Sequence, residues 1–269
     1  QRGKVTGERI RAMALRSARA ALKQLEDSDL QPALFEQPFR ERIALPAGKQ
    51  LLFSGKIDRV DLYREGKDAY VRVVDYKTGG TKYDFGQILD GRQLQLLMYL
   101  EAEEKRIAAE HGGTNVYPAG VHYFHLSDPI LDLKDDTSDA ACEREEAKAY
   151  RMSGRANVER SETVDVKGHN GSIAGRFDFY VTEDFRNLEE KARQKAGEIG
   201  SKILTGDIRV KPILSGSTLS CQFCPYGGVC GFTESLGMRP RLSPDVNEKE
   251  QLESMRDGEE GEGHAGMDA

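Results

Sequence analysis

Apolar and polar positions along the chain change period several times, and each change marks an element. Over residues 4–26, Val5, Ile10, Met13, Ala14, Ala18, Ala21, Leu22 and Leu25 recur near helical spacing, which predicts an amphipathic helix. Lys4, Arg9, Arg11, Arg16, Arg19 and Lys23 fall on its other face, suited to water or to phosphates. From Ala33 to Tyr76 the pattern turns β-rich, with runs over 34–45, 50–62 and 69–76. Pro46-Ala47-Gly48 and Arg64-Glu65-Gly66-Lys67 separate these runs, so an antiparallel meander is expected. Gly79-Gly80 breaks the pattern before a helix over roughly 87–110, carried by Ile88, Leu89, Leu94, Leu96, Leu97, Met98 and Leu100. His111-Gly112-Gly113 ends that helix. Ala119–Leu126 reads as a buried strand, and the charged stretch 132–170 holds a short helix near 139–151. A strand at 175–182 and a helix at about 184–204 follow. This mixed order predicts an α/β fold with a sheet flanked by helices, and no internal repeat is visible.

Composition adds bounds. A chain of 269 residues with 38% hydrophobic and 31% charged residues suits a soluble globular protein. No apolar run approaches the ~20 residues of a membrane span, and no secretory pattern opens the chain, so a cytoplasmic setting without membrane contact is expected. The chain starts at Gln1 with a helical pattern almost at once, which reads as a piece of a longer polypeptide. The net charge of −6 is uneven: Asp245–Ala269 holds nine acidic and two basic residues, leaving residues 1–244 at +1 by difference. A near-neutral body can still bind nucleic acid through a local patch. The acidic, Gly-rich, aromatic-free end predicts disorder. The expected segments are a helix leading in at 1–30, a catalytic core at 31–215, a cysteine-rich segment at 216–239 and an acidic tail at 240–269.

Candidate chemistry centres on Gly55-Lys56-Ile57-Asp58 in one strand and Val73-Val74-Asp75-Tyr76-Lys77 in the next. Side chains alternate along a strand, so Asp75 and Lys77 share a face, while Tyr76 points away and leaves its carbonyl toward the site. If the strands pair so that Asp58 lies beside Asp75, two carboxylates and an ammonium converge. Neighbouring carboxylates favour a hard cation such as Mg²⁺ or Mn²⁺. Such a set suits phosphodiester hydrolysis, with Lys77 orienting water or stabilising developing charge. Gln95 and Tyr99, four residues apart, share one face of the following helix; alone, they equally describe a buried tyrosine satisfied by glutamine.

Cys221, Cys224 and Cys230 form C-x₂-C-x₅-C, a metal-ligand spacing open to zinc or an iron–sulfur cluster. Both take four ligands. Cys142 lies in a charged stretch and reads as an incidental thiol.

Together, Gly55–Asp61, Val74–Gly79 and Gln95–Tyr99 resemble the three nuclease motifs of the RecB-like branch of the PD-(D/E)XK nuclease superfamily, and within it the AddB-type nuclease domains. Pro118–Leu126, Tyr150–Gly154 and Thr205-Gly206-Asp207-Ile208 agree with that resemblance, which runs from about Leu34 to Phe232. It implies a restriction-endonuclease-like core in which Asp58 and Asp75 bind the metal with the Tyr76 carbonyl, Lys77 is catalytic, and Gln95 and Tyr99 line the site. It also implies a 5′→3′ exonuclease that trims the 5′-terminated strand of a double-strand break for recombinational repair, beside an AddA-like helicase–nuclease partner in a heterodimer. For the cysteines it implies a [4Fe–4S] cluster whose fourth cysteine lies upstream of Gln1. A metal-facing histidine from a helix before the first strand is likewise expected upstream, with Glu36 as a substitute. His122 and His125 read as core or edge residues, and His111, His169 and His264 as loop residues.

Two rival readings remain at this level: a DNA-end-binding scaffold without cleavage, and a stand-alone Cas4-like nuclease. No Walker A pattern occurs in the chain, so an ATP-driven motor is not encoded in these residues.

Overall fold

The computed structural model describes residues 2–26, 28–126, 129, 138–160 and 179–258. In chain order it contains α1 (Arg2–Glu26), β1 (Gln31–Ala44), β2 (Gln50–Glu65), β3 (Asp68–Lys77), α2 (Phe85–Asp90), α3 (Gln95–Glu110) and β4 (Asn115–His125). Then come α4 (Asp139–Ala149), β5 (Ser153–Asn157), β6 (Phe179–Tyr180), α5 (Thr182–Leu204), β7 (Ile213–Ser215), β8 (Thr218–Leu219), α6 (Gly227–Cys230), β9 (Arg241–Leu242) and α7 (Glu248–Arg256). Among the described residues, no helix is long and apolar enough to cross a membrane. The elements divide into two units. The first comprises Gln1–Glu41, Phe53–Tyr83 and Gln95–Arg186; the second comprises Arg42–Leu52, Asp84–Leu94 and Asn187–Ala269.

The first unit holds a mixed sheet in the order β1-β2-β3-β4-β5-β6. β2 and β3 are antiparallel, with Arg59 opposite Val74 and Asp61 opposite Arg72. β3 and β4 are parallel, with Asp75 beside Tyr123 and Lys77 beside His125. A parallel neighbour requires a crossover, and α3 lies along that path, packed on both strands. β3 is covered on both faces: Val71, Val73 and Val74 are fully buried, and so is Arg72 between them. On the face opposite α3, Leu30, Tyr70, Val74, Ala119, Phe124, Tyr150 and Met152 form one core cluster, with Ala20 and Ala21 of α1 packed against it. The α/β class with a helix-flanked sheet is therefore as the periodicity predicts.

Four details differ. In α1, the expected apolar residues Val5, Ile10 and Leu22 are exposed, whereas Ser17 and Gln24 are buried. The inward stripe is set by a polar obligation: Gln24 Nε2 donates to the Tyr150 carbonyl at the end of α4 (2.9 Å). The single helix expected over 87–110 is two helices. Asp84 caps α2 by accepting from the Gln87 N–H, and Gly91 ends it in the left-handed region at φ 92°, which glycine adopts without steric cost. The strand expected at 175–182 is seen as Phe179–Tyr180, since 161–178 lie outside the described residues. Within the tail expected to be disordered, Glu248–Arg256 is helical, because Asn247 caps its first turn and Leu252 is buried.

In the second unit, β7, β8 and β9 form a small sheet in the order β8-β7-β9. Its helical part packs tightly: a side chain at Gly200 of α5 would press on Leu51. Asp90 binds Arg92 through both carboxylate oxygens, and Ser243 bonds to both residues.

Candidate active site

The site forms where β2 and β3 reach the same end of the sheet. Extending the Arg59–Val74 pairing by one position places Asp58 opposite Asp75. The alternation that buries Arg59 on one face therefore turns Asp58, Asp75 and Lys77 to the other, under α3. Asp75 is 3% exposed, and Asp58 and Lys77 are half-buried.

Each carboxylate is held by a distinct donor. Asp58 Oδ2 accepts from the Tyr76 backbone N–H at 2.7 Å. The N–H and C=O of one strand residue face the same side, so the Tyr76 carbonyl also faces the Asp58 strand. Asp75 Oδ2 lies 2.5 Å from the Lys77 ammonium, and Asp75 Oδ1 accepts from Gln95 Nε2 at 2.9 Å. The same Gln95 amide donates to the Tyr99 hydroxyl at 2.8 Å, and its Oε1 lies 3.4 Å from Lys77 Nζ. As the first residue of α3, Gln95 thus ties the helix to the strand end. Gly55 is required nearby, since a Cβ there would meet the Phe39 ring at 2.9 Å and crowd the Tyr99 hydroxyl.

Electrostatics reflect two neighbouring carboxylates in a half-buried setting. Burial pushes the Asp75 carboxyl above its ordinary value, Lys77 pulls it back down, and the Asp58 charge pushes it up again. Tyr99 is raised by burial and by the same two aspartates. Two acceptor carboxylates at adjacent positions, one nearly buried, with a backbone carbonyl on the same side, form a hard oxygen donor set. This suits a divalent ion, although among the described residues no group of three or more His, Cys, Asp or Glu side chains is arranged to hold a metal.

The structure brings Asp58, Asp75, Lys77, Gln95 and Tyr99 together. The Tyr76 side chain goes to the opposite face, where its hydroxyl accepts from Arg59 Nη1 at 3.1 Å and its ring meets Phe124 edge-on. Glu36 pairs with Lys56 at 2.9 Å, both side chains exposed. Glu36 also sits in β1 at φ 50°, a left-handed conformation strained for a residue with a side chain. Tyr123 is the neighbour that periodicity misses. Its ring lies 5.5 Å from the Lys77 ammonium, and burial together with Asp75 pushes its hydroxyl up to about 12. Only its parallel pairing with Asp75 reveals it.

Cys221, Cys224 and Cys230 lie in the second unit. Cys221 is half-buried in a 3-10 turn, while Cys224 and Cys230 are exposed. The three thiols are not gathered into a metal-holding group. Cys142 is half-buried on α4. His122 is buried, His111 is exposed, and His125 Nδ1 bonds to the Gly79 carbonyl at 2.8 Å. His169 and His264 lie outside the described residues.

The site is thus a strand-end pair of carboxylates followed by a lysine, with Gln95 and Tyr99 of α3 bonded over it. The chain belongs to the PD-(D/E)XK nuclease superfamily, whose family model matches residues 2–231. Within that class it is similar to AddB, one of the subunits of the ATP-dependent helicase/deoxyribonuclease. The Bacillus anthracis protein is 31% identical over 237 residues, covering 81% of this chain and 20% of the relative. The Clostridium kluyveri protein is 30% identical over 224 residues, covering 77% of this chain and 19% of the relative. That of Thermoanaerobacter sp. (strain X514) is 28% identical over 205 residues, covering 71% and 18%. The matched stretch thus spans about a fifth of these relatives' length.

Proposed function

We propose that this chain is the nuclease domain of an AddB-like helicase–nuclease and that it hydrolyses DNA phosphodiester bonds at Asp58, Asp75 and Lys77. The observation that carries this reading is the convergence of both carboxylates and the Lys77 ammonium at one strand end, braced by Gln95.

Asp58, Asp75 and the Tyr76 carbonyl would hold a Mg²⁺ or Mn²⁺ ion. Such an ion, when bound, polarises a phosphoryl oxygen and acidifies a coordinated water. The remaining work falls to the chain. The Tyr76 N–H fixes the Asp58 rotamer, and Gln95 fixes Asp75, with Tyr99 setting the orientation of the Gln95 amide. Lys77 is anchored by Asp75 yet 27% exposed, so its remaining N–H groups can meet an attacking water or a phosphoryl oxygen.

The finer reading is exonucleolytic trimming of the 5′-terminated strand at double-strand breaks during recombinational repair, in complex with an AddA-like partner. It is supported by the resemblance of the motifs and by the helicase/deoxyribonuclease names of the relatives. A [4Fe–4S] cluster is supported only by the spacing of Cys221, Cys224 and Cys230 and by the resemblance; no step above depends on it.

The test is cleavage of end-labelled linear duplex in Mg²⁺ or Mn²⁺, comparing the 269-residue chain with Asp75→Ala. Asp75→Ala should lower the rate by at least about 10³-fold, the upper range for losing one charge-stabilising group. Equal cutting by both proteins overturns the assignment. Binding without cutting in either metal supports the scaffold reading.

A further inference from the structure

On the nuclease reading, Asp75 would serve two cations at once: a divalent metal ion and the Lys77 ammonium. The ammonium lies 2.5 Å from Asp75 Oδ2, while Asp75 Oδ1 accepts from Gln95 Nε2 at 2.9 Å. Both carboxylate oxygens are engaged, so a metal ion drawing on Asp75 competes with the lysine. A carboxylate whose charge is spent on one cation attracts a second one weakly. Gln95 Oε1 lies 3.4 Å from Lys77 Nζ, beyond the usual span of a strong hydrogen bond. An ammonium on a flexible four-carbon stem scatters unless something else holds it.

The Tyr123 ring is a contact of a different kind. Its centroid lies 5.5 Å from Lys77 Nζ, within reach of the attraction between a cation and an aromatic face. Burial, then Asp75 and Tyr99, push the Tyr123 hydroxyl up to about 12, so the ring stays a neutral phenol with no charge for a metal ion to claim. The ring is also fixed in place. Tyr123 is 2% exposed, and β4 is paired on both sides at this position, with Asp75 of β3 and Ser153 of β5. Lys77, at the more open strand end, rests against a wall that does not depend on the state of Asp75.

We propose that Tyr123 is a positioning residue for Lys77: its ring seats the ammonium independently of the Asp75 charge, keeping the lysine aimed at the reacting phosphoryl group. Its part in cleavage rests on the nuclease reading above; the seating of the lysine does not.

One measurement needs neither metal nor DNA. Asp75→Asn cancels the carboxylate charge, and in that background ¹³C relaxation in EDTA reads the order parameter of the Lys77 ε-methylene. Adding Tyr123→Leu should lower it to the level of the exposed lysines, and adding Tyr123→Phe should hold it. An order parameter that Tyr123→Leu does not move overturns the proposal.

The second measurement is cleavage of end-labelled duplex in Mg²⁺. Tyr123→Leu should lower kcat about 5- to 30-fold with KM unchanged, the span of a partly desolvated contact between a cation and a ring. Tyr123→Phe should recover most of that loss, since it keeps the ring. In a Lys77→Met background, Tyr123→Leu should change kcat by less than about twofold, because no ammonium is left to seat. Phenylalanines carrying one, two and three fluorines at position 123 drain the negative face of the ring while barely changing its size, and kcat should fall with each fluorine. Urea unfolding verifies that each variant is folded, and the fluorine series decides the matter if Tyr123→Leu is not.

A flat fluorine series overturns the proposal. So does an undiminished loss in the Lys77→Met background, which marks a packing defect, or a Tyr123→Phe as slow as Tyr123→Leu, which assigns the effect to the hydroxyl. The two readings fail separately. A chain that never cuts, with an order parameter that falls in Tyr123→Leu, leaves the seat standing and the nuclease fallen; cutting with an unmoved order parameter does the reverse.

Discussion

The two faces of the β2–β3 ladder carry the same chemical groups one residue apart and use them in opposite ways. On the α3 face, Asp58, Asp75 and Lys77 meet at an edge that solvent reaches. On the other face, Arg59, Asp61 and Arg72 are sealed in the core, at most 2% exposed. There Asp61 accepts from Arg59 at 3.0 Å and from Arg72 at 2.8 Å, and Arg59 extends to the Tyr76 hydroxyl. The sealed face has one carboxylate for two guanidiniums, and both guanidiniums donate to it. The open face has two carboxylates for one ammonium, a deficit of positive charge that a cation can fill. Charge balance and burial, more than residue type, separate an ion cluster closed on itself from one able to take up a cation.

The sharpest way to break this contrast is Asp61→Ala, which strands two buried guanidiniums. It should cost about 3–5 kcal/mol in urea unfolding, and Arg59→Met/Asp61→Leu/Arg72→Met should recover most of that. A small loss would mean that the core reaches water. Next in size is Lys77→Met. It should cut nuclease turnover by about 10²–10³-fold while leaving the urea midpoint near that of the unmodified chain. A comparable loss of stability would show that Lys77 serves the fold.

The smallest effect concerns His122, buried beside the sealed face. Burial, then Arg72, Arg59 and Arg155, hold its imidazole well below the ordinary value of 6.5. The folded state therefore binds the proton less readily than the unfolded chain. Its contribution to stability is complete above pH 6.5 and is lost as pH falls from there toward the depressed value. His122→Gln should flatten the stability–pH slope in that window by up to about 1.4 kcal/mol per unit. An unchanged slope would show that the imidazole titrates normally.

Much of the open face is legible in the sequence, because parity along a strand is a local property. Asp75 and Lys77 share a face wherever the strand goes, and Gln95 and Tyr99 share one wherever the helix goes. The sealed face is less legible. Asp61 looks like one more acid in a motif until the register sets it against Arg72. Tyr123 depends on a parallel pairing with a strand almost fifty residues away. The break at Gly91 hides in the sequence because the apolar positions on either side keep a helical period. α7 escapes notice because an acidic composition outweighs a single cap and one buried leucine in any average over the segment.

The pairing of Arg59 with Val74 has a bearing on folding fidelity. A slip of one residue between β2 and β3 exchanges the faces of every side chain on the slipped strand. If β2 slipped, Arg59 and Asp61 would leave the core together, and the buried Arg72 would lose the carboxylate that holds it. The misregistered hairpin therefore suffers a desolvation penalty before it can persist, and the ion cluster acts as a lock on register. A molecule that has satisfied Asp61 has, by the same step, assembled Asp58 beside Asp75.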